Sequence, residues 1–242
     1  MQAVTRGAAE AGDVRTHAAV VSTGRPSWWL VVLAVLVTGL VTADLLAHGF
    51  LEQVDLRVSE VVSDWELADS AAYPALWLVT QLGGRGAILL VLAALVGWLA
   101  WRRRTWVPLR QVLLALVVLT AAVYATKYAT GRTAPAYPGS YFFAGGESYP
   151  SGHVANAVLM WGVARWLAVE HGLPSVLQRT FWWLSVVGPV ATALAMVALD
   201  FHWITDAVVG GAVGVLLLGV VHTLDARVLS RFVRARAGRP SV

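Results

Sequence analysis

The sequence predicts an all-α, polytopic membrane protein, a bundle of six transmembrane helices with an amphipathic helix on its outer surface. Of the 242 residues, 58% are hydrophobic and only 13% are charged, which is too apolar for an ordinary soluble domain. The apolar residues fall in runs long enough to cross about 30 Å of hydrocarbon. Positive charges cluster at particular ends of these runs, which indicates membrane topology rather than nucleic-acid binding.

The chain divides by composition into three segments. Residues 1–26 are polar and rich in alanine and glycine, and we interpret them as a disordered cytoplasmic tail. Residues 27–226 carry the six predicted spans and form one membrane domain. Residues 227–242 contain five arginines, and the positive-inside rule makes this basic tail cytoplasmic. The chain contains no cysteine, which excludes disulfides and cysteine nucleophiles.

The predicted spans follow from the apolar runs and from the residues between them. Arg102 to Arg104 follow the second span and mark the inner side, whereas acidic residues crowd the segment between the first two spans. Apolar residues recur at helical spacing among these acids, which predicts the outer amphipathic helix. The second span is long and has a candidate break at Gly83-Gly84. The spans are predicted at Trp28–Ala47, Tyr73–Trp101, Val107–Thr126, His153–Val169, Phe181–Leu199 and Trp203–His222.

This topology makes both termini cytoplasmic and brings three polar segments together on the outer side of a plasma (inner) membrane. The segments are the end of the third span, the start of the fourth, and the junction of the last two. They contain two histidines, an aspartate, a serine, an arginine and the only lysine of the chain. We therefore predict an extracytoplasmic pocket that contains Lys127, Arg132, Ser151, Gly152, His153, His202 and Asp206.

His202 and Asp206 form the centre of this predicted pocket. They are four residues apart, a spacing that brings two side chains onto one face of a helix. A carboxylate beside an imidazole fixes the tautomer and makes the other nitrogen more basic, as a nucleophile or general base requires. A helix-capping pair at the membrane surface would have the same spacing. Gly210 and Gly214 continue this face and predict the close approach of another helix.

The segment Ser151-Gly152-His153 follows a proline and opens the fourth span. The N–H groups of a helix N-terminus favour an anion, and serine is also a common N-cap residue. His153 lies in the first turn, where it can transfer a proton. Two histidines, an aspartate and a lysine beside an anion site, without metal-ligand spacing, suggest phosphate-ester chemistry through a phosphohistidine.

Three segments of the chain resemble the motifs of the type 2 phosphatidic acid phosphatase superfamily. They are Lys127 to Pro135, Pro150-Ser151-Gly152-His153, and His202 followed four residues later by Asp206. This superfamily includes membrane lipid phosphatases, undecaprenyl pyrophosphate phosphatases and soluble vanadium haloperoxidases. The resemblance extends over residues 28–226, and the order, spacing and topology of the segments agree with it.

The resemblance implies a phosphatase that uses neither a metal nor a cofactor. His202 would attack phosphorus, Asp206 would orient His202, and His153 would protonate the leaving group. Lys127, Ser151 and the Gly152 amide would hold phosphate oxygens. The substrate would be a lipid phosphate such as phosphatidate, phosphatidylglycerophosphate or a polyprenyl pyrophosphate. Membrane lipids would surround the protein, and no nucleic acid would take part.

The chain departs from the family pattern at two phosphate-binding arginines. Ala134 and Met196 stand where the first and third motifs carry arginine. Another cation must then neutralise the phosphate. Arg132 is the preferred replacement because it shares a loop with Lys127, and Arg85 is the second candidate. Arg132 would bind two phosphate oxygens at once through its guanidinium.

Asp200 adds a negative charge close to His202, where the family usually has a small residue. Together with the missing arginines, this leaves a second function open. The chain would then be a catalytically inactive relative that binds a lipid phosphate or a partner protein. The retention of His153, His202 and Asp206 together favours the active phosphatase.

Overall fold

The computed structural model describes residues 25–137 and 139–237, with side chains as far as residue 227. Within these ranges the chain is helical and contains no strand, which confirms the predicted all-α fold. The predicted tail over residues 1–26 lies outside the described residues except for its last two positions. The predicted basic tail begins inside the last helix, and residues 238–242 are not described. The helices are α1 Trp28–Leu46, α2 Phe50–Ser63, α3 Tyr73–Thr80, α4 Arg85–Arg103, α5 Val107–Thr130, α6 Gly152–Glu170, α7 Ser175–Ala198 and α8 Ile204–Ala237.

Five of the described helices are long and apolar enough to cross a membrane, so the chain is a multi-pass membrane protein. These spans agree with five of the six predicted ones, although α7 begins before Phe181 and α8 continues beyond His222. The five segments are Trp28–Leu46, Arg85–Arg103, Val107–Thr130, Ser175–Ala198 and Ile204–Arg227.

Helix α6 corresponds to the predicted fourth span and lies at the centre of the bundle. It packs against α4, α5, α7 and α8, and most of its side chains are buried. Its 19 residues give a length of about 28 Å, close to the thickness of the hydrocarbon core. The helix contains the polar residues His153, Asn156 and Arg165 and is not among the five candidate spans. Because its neighbours are protein rather than lipid, α6 does not need an apolar outer face.

The predicted second span is two helices rather than one. Helix α3 ends at Thr80, a tight turn follows, and α4 begins at Arg85 with Gly84 as its N-cap residue in an extended conformation. The break has a packing reason as well as a conformational one. A Cβ atom at Gly83 would lie 2.5 Å from the carbonyl oxygen of His153, so only glycine fits against α6 here.

Helices α6 and α8 approach each other at the glycines that the sequence singled out. A Cβ atom on Gly210 would lie 2.5 Å from the Ser151 carbonyl oxygen, and one on Gly214 would lie 2.6 Å from Cβ of Val158. The prediction that a helix approaches closely behind this face is therefore confirmed. The contact brings the start of α6 against the first turns of α8, where the predicted pocket residues lie.

We expect Gly210→Ala to destabilise the protein, because the added methyl group would overlap the backbone of α6. Such overpacking costs about 1–3 kcal/mol, so the melting temperature in detergent should fall by several degrees. Gly211→Ala is the matched control, since its Cβ atom would lie 3.8 Å from Val154 at ordinary contact distance. Equal melting temperatures for the two variants would contradict the close α6–α8 contact.

The cysteine-free chain allows a direct test of the predicted topology. We expect a cysteine at Ala136, in the loop before α6, to react with a membrane-impermeant maleimide in intact cells. A cysteine at Ser175, at the start of α7, should react only after the membrane is opened. Both residues are exposed, so accessibility from solvent does not limit the reaction. The reverse labelling pattern would invert the topology.

Candidate active site

Two cavities meet at three of the predicted pocket residues. Lys127, His153 and His202 line both of them. The first, which we call the α4–α6 cavity, has a volume of about 320 Å³, and the second, the loop cavity, about 600 Å³. The remaining lining residues of the α4–α6 cavity are Gly83, Arg85, Leu119, Val123, Tyr124, Gly152 and Asn156. Those of the loop cavity are Thr133, Ala134, Tyr137, Ala144, Gly145, Gly146, Glu147, Ser148, Met196 and Phe201.

The ends of three helices and one loop bring these residues together. Lys127 lies in the last turn of α5, His153 in the first turn of α6, and His202 in the turn between α7 and α8. The backbone N–H of Ser151 donates to the carbonyl oxygen of Asp206 at 2.9 Å, which joins the starts of α6 and α8 directly. The two cavities therefore lie at one end of the bundle, as the sequence predicted for these segments.

His202 and Asp206 are in contact, although not on one helix face. Nδ1 of His202 lies 3.4 Å from Oδ2 of Asp206. Helix α8 begins at Ile204, so His202 precedes it, and the turn rather than the helical repeat brings the two side chains together. Oδ2 of Asp206 also accepts the backbone N–H of Trp203 at 3.3 Å, so Asp206 caps the helix as well. The same carboxylate can therefore cap α8 and orient the ring of His202.

Ser148 is a third member of this group, and no sequence pattern indicates it. Its hydroxyl group donates to Oδ2 of Asp206 and lies 3.2 Å from Nδ1 of His202. Asp206 and Ser148 are buried, and His202 is nearly so. An imidazole whose Nδ1 faces a carboxylate keeps its proton there, which leaves Nε2 with a free lone pair. This arrangement can support attack by Nε2 on an electrophile in the cavities.

Arg132 lies behind this group and is completely buried. Its Nη1 donates to Oδ1 of Asp206 at 2.6 Å and to Thr205 at 2.8 Å, and its Nη2 donates to Oδ2 of Asp55 at 2.7 Å. Nη2 and Nε also donate to the hydroxyl group of Ser140 at 2.8 and 3.2 Å. These five hydrogen bonds account for all five N–H groups of a guanidinium. The Arg132 charge is thus compensated by two carboxylates.

Asp55 holds the other side of this ion-pair group. It comes from α2, and its oxygens accept the backbone N–H of Thr205 at 3.0 Å and the Thr205 hydroxyl as well as Arg132. Burial raises the pKa of Asp55, and the hydrogen bonds from Thr205 and the charge of Arg132 oppose that shift. The amphipathic helix is thereby attached to the start of α8.

The expected phosphate-binding role of Arg132 does not agree with its position in the structure. Arg132 lines neither cavity, and all its donors already have acceptors. The reason is the sharp turn at Gly131, where φ is +54° and α5 ends, which directs the next residue inward towards Asp206 and Asp55. Arg132 is therefore placed to fix the orientation of Asp206.

The other predicted phosphate ligands occupy different positions. Lys127 lines both cavities, and its ammonium group donates to the carbonyl oxygen of Glu147, which leaves two of its three N–H groups. Gly152 lines the α4–α6 cavity. Ser151 lines neither cavity and is the N-cap residue of α6, where its hydroxyl accepts the N–H of Val154 at 3.5 Å.

Asp200 also lies away from both cavities, in contrast to the expected charge beside His202. Its carboxylate accepts hydrogen bonds from Ser59 at 2.9 Å and Ser63 at 3.2 Å, both on α2. The residue has φ of +56°, so the chain turns sharply here and directs the side chain towards α2. Asp200 therefore helps to attach the amphipathic helix to the end of α7.

The sequence did contain a signal for Asp55. Leu51, Asp55, Val58 and Val62 recur at helical spacing, so the aspartate lies on the apolar face of an amphipathic helix. A carboxylate on such a face requires a buried partner. Ser148 gave no comparable signal, because serine is common in loops.

No group of three or more His, Cys, Asp or Glu side chains within residues 25–137 and 139–237 is arranged to hold a metal ion. Metal independence stays a prediction, and phosphate release in the presence of a chelator would test it.

We expect Arg132→Met to destabilise the protein even without substrate, because it leaves two buried carboxylates without their cation. Removing one partner of a buried ion pair costs about 3–5 kcal/mol, so the melting temperature should fall by roughly 10 °C. Arg57→Met is the control, since Arg57 is exposed on α2 and has no ion pair among the described residues. If Arg132→Met has the same melting temperature as the parent, this arginine is not a structural ion-pair partner.

Comparisons with known proteins identify the family and the fold of the chain. The family model described as PAP2 superfamily matches residues 108–229, slightly more than half of the chain. A solved structure of a transmembrane PAP2 type phosphatidylglycerolphosphate phosphatase from Bacillus subtilis is similar in fold, with a TM-score of 0.58 and 18% sequence identity. The similarity covers 82% of this chain and 94% of that one. A comparison with curated proteins gave no significant match. The chain, a multi-pass membrane protein with the fold of a membrane lipid phosphatase, belongs to the PAP2 superfamily.

Proposed function

We propose that the chain is an integral membrane phosphatase that hydrolyses a lipid phosphate or pyrophosphate through a phosphohistidine intermediate. The observation that carries this proposal is the contact between Nδ1 of His202 and the carboxylate of Asp206. His202 lines the same two cavities as His153 and Lys127. A nucleophile, the group that orients it, a proton donor and a cation are the parts that metal-independent phosphoryl transfer needs.

The proposed reaction has two steps. Nε2 of His202 attacks phosphorus while the bond to the leaving oxygen breaks, and His153 gives a proton to that oxygen. A water molecule then attacks the phosphohistidine, His153 takes up the proton of that water, and inorganic phosphate leaves. Lys127 and the N–H of Gly152 hold phosphate oxygens during both steps. Asp206, fixed by Arg132 and Ser148, stabilises the positive charge on the ring.

The wall of the α4–α6 cavity supports a lipid rather than a soluble phosphate ester. Leu119, Val123 and Tyr124 of α5 line it beside Lys127, and α5 is a candidate span. A hydrocarbon chain in the membrane can therefore lie along α5 while its phosphate reaches the histidines. The arginine distribution supports an extracytoplasmic site in the plasma membrane with both termini in the cytoplasm. The candidate substrates remain phosphatidate, phosphatidylglycerophosphate and polyprenyl pyrophosphate.

One observation favours a second candidate function, a catalytically inactive relative that binds a lipid phosphate or a partner protein. Ala134 and Met196, which replace the two motif arginines, both line the loop cavity. The cations of the family pattern are therefore missing from this side of the cavities.

Phosphate release by the purified protein in detergent, with EDTA present, decides between the two functions. We expect release from at least one of the three lipid phosphates. His202→Ala should lower the rate at least about a thousandfold, because it removes the nucleophile. A phosphorylated protein, labile in acid and stable in base, should accumulate on rapid quenching of the parent and be absent from His202→Ala.

His48→Asn serves as the control, because His48 is exposed, lines neither cavity and should be as active as the parent. Unchanged activity of His202→Ala would contradict the phosphohistidine. Failure of the parent to release phosphate from any lipid would leave the binding function.

A further inference from the structure

The proposed phosphate site is short of positive charge. A phosphate monoester is close to a dianion at neutral pH, and this charge is spread over the three phosphoryl oxygens during transfer. The charge of Arg132 is compensated by Asp55 and Asp206, and the motif positions hold Ala134 and Met196. Among the described residues that line the two cavities, the lysine and arginine side chains are Lys127 and Arg85.

The backbone before Arg85 is fixed to the helix that carries His153. Nδ2 of Asn156 donates to the carbonyl oxygen of Gly83 at 2.8 Å, and Nε1 of Trp161 donates to that of Leu82 at 2.7 Å. Gly83 also packs directly on the His153 backbone. Arg85 is the first residue of α4, so this rigid turn holds its Cα atom beside the α4–α6 cavity.

The Arg85 guanidinium has no hydrogen bond or ion pair within the described part of the chain, and the residue is exposed. Two acids of the amphipathic helix have other partners, since Asp55 binds Arg132 and Glu52 binds His48. The five donors of Arg85 therefore remain for a ligand.

We propose that Arg85 binds phosphoryl oxygens of the substrate and replaces the two arginines missing from the motifs. This inference rests on the proposed function and names a further substrate-binding residue for it. Lys127, His153 and Arg85 all line the α4–α6 cavity, so two basic side chains are available to one dianion beside this histidine. A guanidinium binds two phosphate oxygens at once, which an ammonium group does not. The cation thus approaches from the α4 side, whereas the motif arginines would approach from the loop cavity.

The test measures the binding of inorganic phosphate by calorimetry on the purified protein in detergent, together with kcat/KM on the best lipid substrate. Arg85→Gln should weaken phosphate binding and lower kcat/KM, each by about 10- to 100-fold, as expected for one charge-assisted contact. Arg57→Gln, an exposed arginine of α2 outside both cavities, is the matched control and should behave as the parent. Arg85→Lys should recover part of the loss, since it restores the charge without the second hydrogen bond.

A charge-relocation variant makes the test specific to the missing motif. In the Arg85→Gln background, Ala134→Arg adds a cation from the loop cavity, which meets the α4–α6 cavity at Lys127. We expect the double variant to bind phosphate at least tenfold more tightly than Arg85→Gln does. Melting temperatures equal to the parent for the Arg85 variants would show that the effect is not unfolding.

The outcomes separate this inference from the proposed function. Equal phosphate binding by Arg85→Gln and the parent, or no saturable phosphate binding by the parent, overturns the role of Arg85. If phosphate binding depends on Arg85 while no lipid phosphate is hydrolysed, the Arg85 site stands and the phosphatase proposal fails. If lipid phosphate is hydrolysed equally well without Arg85, the phosphatase proposal stands and the Arg85 role fails.

Discussion

The buried ion-pair group of Arg132, Asp55 and Asp206 is the interaction on which the candidate site depends. Its three charges come from the loop after α5, from α2 and from α8, and none is exposed to solvent. Such charges are costly in an apolar environment unless each is paired and fully hydrogen-bonded. Here all five N–H groups of the Arg132 guanidinium donate hydrogen bonds, and one of these bonds fixes the orientation of the Asp206 carboxylate. His202 takes its position from that carboxylate.

The same group explains why Arg132, an arginine within the first motif segment, is not free for a ligand. In this group the carboxylate of Asp206 lies beside the imidazole of His202, 3.4 Å from its Nδ1. In the proposed reaction, the negative charge of Asp206 would stabilise the positive ring that forms when the nitrogen bonds to phosphorus, but it would also repel an incoming phosphate. The reaction would then need the cations of the cavity that Lys127 and Arg85 line.

The sequence predicted those features that local patterns determine. Apolar runs gave the spans, glycines gave the break before α4 and the close contact of α6 with α8, and the three motifs gave the residues at one end of the bundle. The sequence could not predict the partner of Arg132, because Asp55 is 77 positions away and the pairing depends on how α2 lies on the bundle. The expectation that the charge of Asp200 lies beside His202 is wrong for a similar reason, because the backbone turn directs its side chain to Ser59 and Ser63.

The amphipathic helix therefore has a larger part in the site than its surface position suggests. Helix α2 contributes Asp55 to the ion-pair group and Ser59 to the bond with Asp200, so it is attached to both sides of the turn that carries His202. That turn has no regular secondary structure, and hydrogen bonds to α2 on both of its sides restrict it more than a bond on one side would. The loop with Ser148 restricts the same imidazole as well, because the Ser148 hydroxyl contacts the ring nitrogen that faces Asp206. The position of His202, the proposed nucleophile, thus depends on elements outside the motif that contains it, and a search limited to the motifs would miss them.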